Sequence, residues 1–262
     1  MKKKGILLTA VILLSAAGLA QALEGELHGV LDFTYQSKYI WRGFDCYGDK
    51  SAIQPSIDLD LYQTGFGINI MTHRANSSGY ENGERWDYTV YYGNSVFEGE
   101  TYATNYRLGY VYYNYPDNSS HTRGSIDLQE MQLILSWPEI CPAGVVPSYG
   151  LIKLWPSNSD TLNGKASGWA HVFMLDYGLN LGTLIPDMPE QVLNLHTEMV
   201  YNDGVLGVEH DWSNIVFGVS TDFDLGNNLT FTPGLYHQVT MEDSVNDDKD
   251  ETWVSLSVKY RF

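Results

Sequence analysis

Two cysteines in 262 residues, Cys46 and Cys141, are too few for a disulfide framework. They could pair in an oxidising compartment or stand as two isolated small apolar residues. Basic residues are scarce too: 15 Lys plus Arg face 32 Asp plus Glu, for a net charge of −17. That balance excludes a nucleic-acid-binding surface, repels anionic membranes and attracts cations. After residue 22 no apolar run approaches the roughly 20 residues that a membrane-spanning helix needs. No window carries the period of an amphipathic helix, and no Pro- or Ser-rich linker divides the chain.

The first residues set the compartment. Lys2, Lys3 and Lys4 precede an apolar run over residues 6–19, and Ala20-Gln21-Ala22 offers a small-x-small cleavage site. This is a secretory signal in form, too short and wrongly flanked for a lasting membrane helix. Residues 1–22 are therefore expected to be removed near Ala22, and residues 23–262 to form the folded unit. The leader takes three lysines and no acids with it, so −17 deepens to −20.

What the mature chain has in abundance is alternation. Leu27, Gly29, Leu31, Phe33 and Tyr35 oppose His28, Asp32, Thr34 and Gln36; Ile53, Ile57, Leu59 and Leu61 oppose Gln54, Ser56, Asp58 and Asp60. The same period of two recurs over 66–70, 86–92, 106–112, 131–137, 193–201, 215–223 and 229–239, and ends at the terminus with Val254, Leu256, Val258, Tyr260 and Phe262. Residues 146–155 and 168–178 are read as strands from their Tyr, Val, Ile and Trp content. The total is about twelve strands.

Connections alternate as well. Residues 42–50, 74–84, 116–125, 156–167, 202–211 and 241–251 are long and polar, whereas 63–65 and 226–228 are tight. An outer-membrane barrel has short turns on one side and long loops on the other. Residues 179–191 are an exception, long where the connection should be short. Pro55 and Pro233 interrupt two strands, for which a bulge is the expected accommodation. The topology sets Cys46 and Cys141 at opposite ends of the barrel, too far apart to bridge.

Period two does not by itself identify the medium. A secreted β-sandwich buries its apolar face under a second sheet; a barrel in lipid turns that face outward. The even strand number, the loop alternation, the leader and the many charges on the polar faces favour an all-β transmembrane antiparallel β-barrel. Tyr and Trp settle where hydrocarbon meets headgroups. Tyr39, Trp41, Tyr62, Trp86, Trp137, Trp155, Trp169, Tyr201, Tyr260 and Phe262 are placed to form such girdles.

The terminal Val254, Leu256, Val258, Tyr260, Phe262 pattern resembles the C-terminal signal that the barrel assembly machinery reads on the last strand. Ser37-Lys38-Tyr39-Ile40-Trp41-Arg42-Gly43-Phe44, then Gly65-Phe66-Gly67-Ile68-Asn69 and Trp86-Asp87-Tyr88-Thr89-Val90-Tyr91-Tyr92-Gly93, is similar to the N-terminal pattern of the TorF-type porins, over roughly the first 95 residues. That resemblance implies an outer-membrane channel of a Gram-negative cell and names no solute.

In such a barrel Asp32, Lys38, Asp58, Asp60, Asp87, Arg107, Glu130 and Glu198 point inward, with Lys259 and Arg261, either lining a water path or pairing into a network that plugs it. Arg107 with Glu130, and Asp32, Asp58 and Asp60 near Lys38, are the expected groupings. Arg42 stands at the pore mouth, as a guard or as a turn cation tied to a nearby carboxylate or carbonyl. The acids of residues 241–251 form a solvated loop in preference to a Ca²⁺ site, since the EF-hand order and its Gly are absent. A lipid hydrolase is the competing function, but around His73 the positions where such an enzyme has its key residues hold Ala75 and Asn76. The expected partners are membrane lipid, the assembly machinery and small polar or cationic solutes, with no cofactor, metal or catalytic residue.

Overall fold

A computed structural model describes residues 26–117, 126–157, 166–183 and 190–262. The expected leader lies outside the described residues. Twelve antiparallel strands form the wall: β1 His28–Gln36, β2 Ala52–Asp60, β3 Phe66–Ala75, β4 Arg85–Val96, β5 Thr104–Asn114, β6 Leu128–Ser136, β7 Val145–Pro156, β8 Gly168–Gly182, β9 Gln191–Asp203, β10 Asp211–Thr221, β11 Leu229–Thr240 and β12 Glu251–Arg261. After Asp222, β10 resumes as Phe223–Gly226 against β11. Each strand pairs with its chain neighbours, and β12 returns to β1 with Val30 opposite Arg261 and Gln36 opposite Ser255. Closure leaves no free edge to aggregate.

The pleat separates two media. Leu31, Phe33, Val90, Leu108, Phe173, Phe217, Leu235, Val254 and Val258 are exposed, Phe33 at 52% and Val90 at 53%, although they are among the most apolar side chains of their strands. Thr89, Glu130 and Gln238, on the opposite face, are buried. A water-soluble sandwich has the reverse arrangement, so the outward face is built for lipid. At the long-loop end Lys153 lays its ammonium 5.2 Å from the centre of the Trp169 ring, a cation held at the boundary by an aromatic.

The wall and its connections depart from the sequence expectation in three places. Tyr39 and Trp41 belong to no girdle: Tyr39 is buried, and both pack inside the barrel mouth. The long connection expected over 179–191 contracts, because β8 continues to Gly182 and pairs there with Gln191 across a bulge. Neither proline sits in a bulge. The β2–β3 ladder skips Gln54 and Pro55 but keeps its register on both sides, and Pro233 lies where the β10–β11 ladder is interrupted between Ser220↔Gly234 and Phe223↔Phe231. Proline, with no N–H to donate, is accommodated by a local gap in the ladder. Cys46, in the loop after β1, and Cys141, in the turn after β6, are both free thiols.

Candidate functional site

The connection between β1 and β2 does not stand out as an outer loop. Ile40–Trp41 and Phe44–Asp45 pair as a small hairpin whose turn is Arg42-Gly43, both with positive φ (54° and 90°). Such a turn matches the twist of a tight hairpin, and a non-glycine residue there needs support from its surroundings. Arg42 has it: its Nη2 donates to Glu130 Oε1 at 2.7 Å and Oε2 at 2.6 Å, from β6. On the far wall Gln238 of β11 donates from Nε2 to the Gly43 carbonyl at 2.8 Å. Since β6 and β11 lie nearly opposite in the ring, the hairpin tip spans the lumen.

The base of the hairpin is tied as well. Lys38 Nζ lies 2.5 Å from both Asp49 and Glu251, and the Asp45 N–H donates to Asn246 Oδ1 at 3.1 Å. Hydrogen bonds from Lys38 to Asp49 and Glu251 push its pKa upward against a smaller burial effect, and Lys38 in turn holds the Asp49 carboxyl below its usual range. For Arg42, burial alone would favour the neutral form, but Glu130, together with Tyr113 and Glu198, outweighs it and keeps the guanidinium charged. Burial pushes the Cys46 thiol up to about 12, which makes it a poor nucleophile.

On the β2–β7 side the space under the hairpin is filled. Arg85, 2% exposed, lies between the Trp41 and Tyr113 rings, at 4.2 and 4.6 Å from their centres. Its Nε donates to Asp87 Oδ1 at 2.6 Å, and its Nη2 to Asp87 Oδ2 at 2.9 Å and to the Tyr39 hydroxyl at 2.8 Å. Asp87 also meets His73 Nε2 at 2.9 Å, and the His73 ring stacks on Tyr39. Ser77 and Ser78 are exposed in the loop beyond β3, so neither serves His73 as a partner. This is a packed polar and aromatic brace with its charges paired.

The β8–β12 side is different. Beneath the hairpin tip a cavity of about 190 Å³ is lined by Arg42, His196, Glu198, Tyr236, Gln238 and Trp253, among others. His196 and Tyr236 also line a larger cavity of about 460 Å³, with Asp176, Asn194 and Ser220. Tyr236 and Trp253 stack with centres 5.4 Å apart and planes 13° apart. His196 Nδ1 is 2.7 Å from Asp176 Oδ1. Arg42 is balanced by Glu130, so Glu198, and Asp176 beside His196, give the linings of these two cavities their acidic character.

The expected inward residues separate into groups. Asp87 and Glu130 are buried, one in the brace and the other under Arg42. Arg107 does not meet Glu130; its guanidinium lies 3.8 Å from the centre of the Tyr91 ring, because Ile134 stands opposite it on β6. Lys38 does not join Asp32, Asp58 and Asp60, since it leaves β1 at the long-loop end while Asp60 sits opposite His28 at the other. Asp32 accepts from Thr34 and Ser257, and Asp58 from Tyr91 and Asn69. Asp60 accepts from the Gln63 N–H in the turn after β2, and Arg261 donates to the Thr230 hydroxyl at the same end. Glu198 alone among the eight lines either cavity. Arg42 is tied to a carboxylate, but from inside the lumen.

Asp45, Asp49 and Glu251 bring carboxylate oxygens within 4.8 Å of one another. Lys38 already bridges two of them, and Asp243, Asp247, Asp248 and Asp250 in the loop before β12 are exposed. Sequence reasoning missed Arg85 as the centre of the brace and Asp176, His196, Tyr236, Gln238 and Trp253 as lumen residues. His196, Gln238 and Trp253 had a signal, each lying on the polar face of an alternating strand.

No family model and no curated protein matches the chain. Among solved structures, the KdgM porin superposes with a TM-score of 0.53 at 12% identity, over 89% of this chain and 99% of that one. The NanC porin does so with 0.54 at 12% identity, over 88% and 98%. KdgM in complex with disordered oligogalacturonate gives 0.51 at 12% identity, over 89% and 99%. The fold is that of a porin barrel. At this identity the likeness extends to architecture and stops there.

Proposed function

We propose that the protein is a passive outer-membrane channel for small polar or cationic solutes, narrowed from within by the hairpin between β1 and β2. The observation that carries this reading is the asymmetric lumen: one side is filled by the Arg85 brace, and the other keeps neighbouring cavities lined by Glu198, Asp176, polar and aromatic groups and Arg42, whose charge Glu130 neutralises. Inward carboxylates in a low-dielectric tube raise the local concentration of cations and repel anions. The KdgM porin has been solved with an oligogalacturonate, whose sugar units carry carboxylates. The acidic excess here argues for the opposite sign of solute.

Asp32, Asp58, Asp60 and Arg107 then line the short-turn half, Glu198 the narrow part, and Asp87 and Glu130 hold the hairpin. Val254, Leu256, Val258, Tyr260 and Phe262 present the apolar face of the last strand to lipid and, before closure, to the assembly machinery. An enzymatic role finds no support at His73, whose ring is committed to Gln54 and Asp87. Liposome swelling tests the reading. Vesicles carrying the protein should swell faster in lysine than in serine and slowest in glutamate. Swelling no faster than that of protein-free vesicles would contradict a channel.

A further inference from the structure

Glu198 and Gln238 both line the small cavity, and each carries an acceptor that no hydrogen-bond donor meets among the described residues. Gln238 is fully buried, and its Nε2 is committed to the Gly43 carbonyl and the Thr240 hydroxyl. Because a carbonyl can only accept, the amide orientation is fixed and Oε1 faces away from the Gly43 oxygen. That Oε1 has no hydrogen-bond partner among the described residues. An unmet buried acceptor is costly unless something supplies a proton to it. Glu198 lines the same cavity; it feels the charge of Arg42 but accepts no hydrogen bond among the described residues. The Trp253 and Tyr236 rings, also in the lining, add faces that attract cations.

A second carboxylate follows one step along. Asp176 stands opposite His196 in the β8–β9 ladder, and Glu198 stands opposite Met174. The two acids are therefore diagonal neighbours on the inward face, a placement that separates backbone positions by about 7–8 Å. The span suits the two ammonium groups of a short aliphatic diamine. Its methylenes would cross the Tyr236 ring, which lines both cavities.

We infer that the lumen holds a binding site for aliphatic diamines, one ammonium taken by Glu198 and Gln238 Oε1 beside Trp253, the other by Asp176. Hydrogen bonds from a charged donor to a carboxylate are the strong kind, and two of them at fixed spacing select for a ligand with two charges. This rests on the channel reading for its purpose, since it names the solute class, but its test does not require current to flow.

The test is isothermal titration calorimetry of the purified barrel in non-ionic detergent, at fixed ionic strength, with putrescine and with butylamine. Putrescine should bind at least tenfold more tightly than butylamine. Glu198→Gln and Asp176→Asn, each checked for heat-modifiable gel migration to establish folding, should each weaken putrescine at least tenfold and bring it toward the monoamine. Equal affinity of the two amines, or putrescine binding untouched by both substitutions, would overturn the inference. Preferential diamine binding in a protein that passes no solute would leave the site standing and remove the channel instead.

Discussion

Arg85 shows how one side chain can set the shape of a lumen. Two rings clamp its guanidinium and Asp87 neutralises it, so the hairpin carrying Trp41 is fixed to the wall through a cation. Arg85→Ala leaves Asp87 buried beside His73 without its main partner, and breaking such a pair costs roughly 3–5 kcal/mol. The expected result is a lower temperature for the heat-modifiable gel transition, with larger and noisier single-channel conductance as the hairpin loosens. Arg85→Lys should restore only part of either property, because an ammonium keeps the charge but not the planar stacking. An unchanged transition in Arg85→Ala would show that the brace is not what holds the hairpin. Period two places Arg85 on the polar face, but its partners are illegible in sequence: Trp41 comes from a loop and Tyr113 from another strand. The same limit hides the diamine site. Glu198 is legible as an inward acid, whereas Gln238 becomes distinctive only when a folded-in loop occupies its amide.

At the level of elements, the strands are legible because each alternates between two solvents, and the loops are not because no period governs them. Residues 42–50 read as a long polar loop in the sequence, and the whole stretch 37–51 turns inward in the structure. Its aromatic residues, which the composition pattern would set at the membrane boundary, pack on one another and on His73 instead. The seam between the first and last strands has a plain signature once both are aligned. The Gly29 N–H donates to the Phe262 carbonyl at 2.9 Å and the Phe262 N–H to the Gly29 carbonyl at 3.0 Å, while the Phe262 ring covers the bare Gly29 backbone. A Cβ at Gly29 would fall 2.4 Å from the ring. Gly29→Val should therefore displace the terminal aromatic and slow closure. In vesicle-folding experiments followed by gel migration, the folded band should appear several-fold more slowly than in wild type. A rate equal to wild type would mean that the ring over Gly29 contributes nothing to closing the barrel.

For the whole molecule, the net charge of −17 is not spread evenly in its consequences. The exposed face of the strands is dominated by large apolar side chains, and the acids concentrate in the loops and the lumen. Much of the lumen charge is cancelled locally, by Arg85 on Asp87, Arg42 on Glu130 and Lys38 on Glu251. Beside the space that the hairpin leaves unfilled, the β8–β9 wall keeps Asp176 and Glu198. The measurement that bears on this most directly is the reversal potential of single channels in a planar bilayer under a KCl gradient. The wild type should show discrete conductance steps and a reversal potential of the sign expected for K⁺ preference, and Glu198→Lys should move it toward Cl⁻. Steps that favour Cl⁻ in the wild type, or a potential indifferent to Glu198→Lys, would contradict the account.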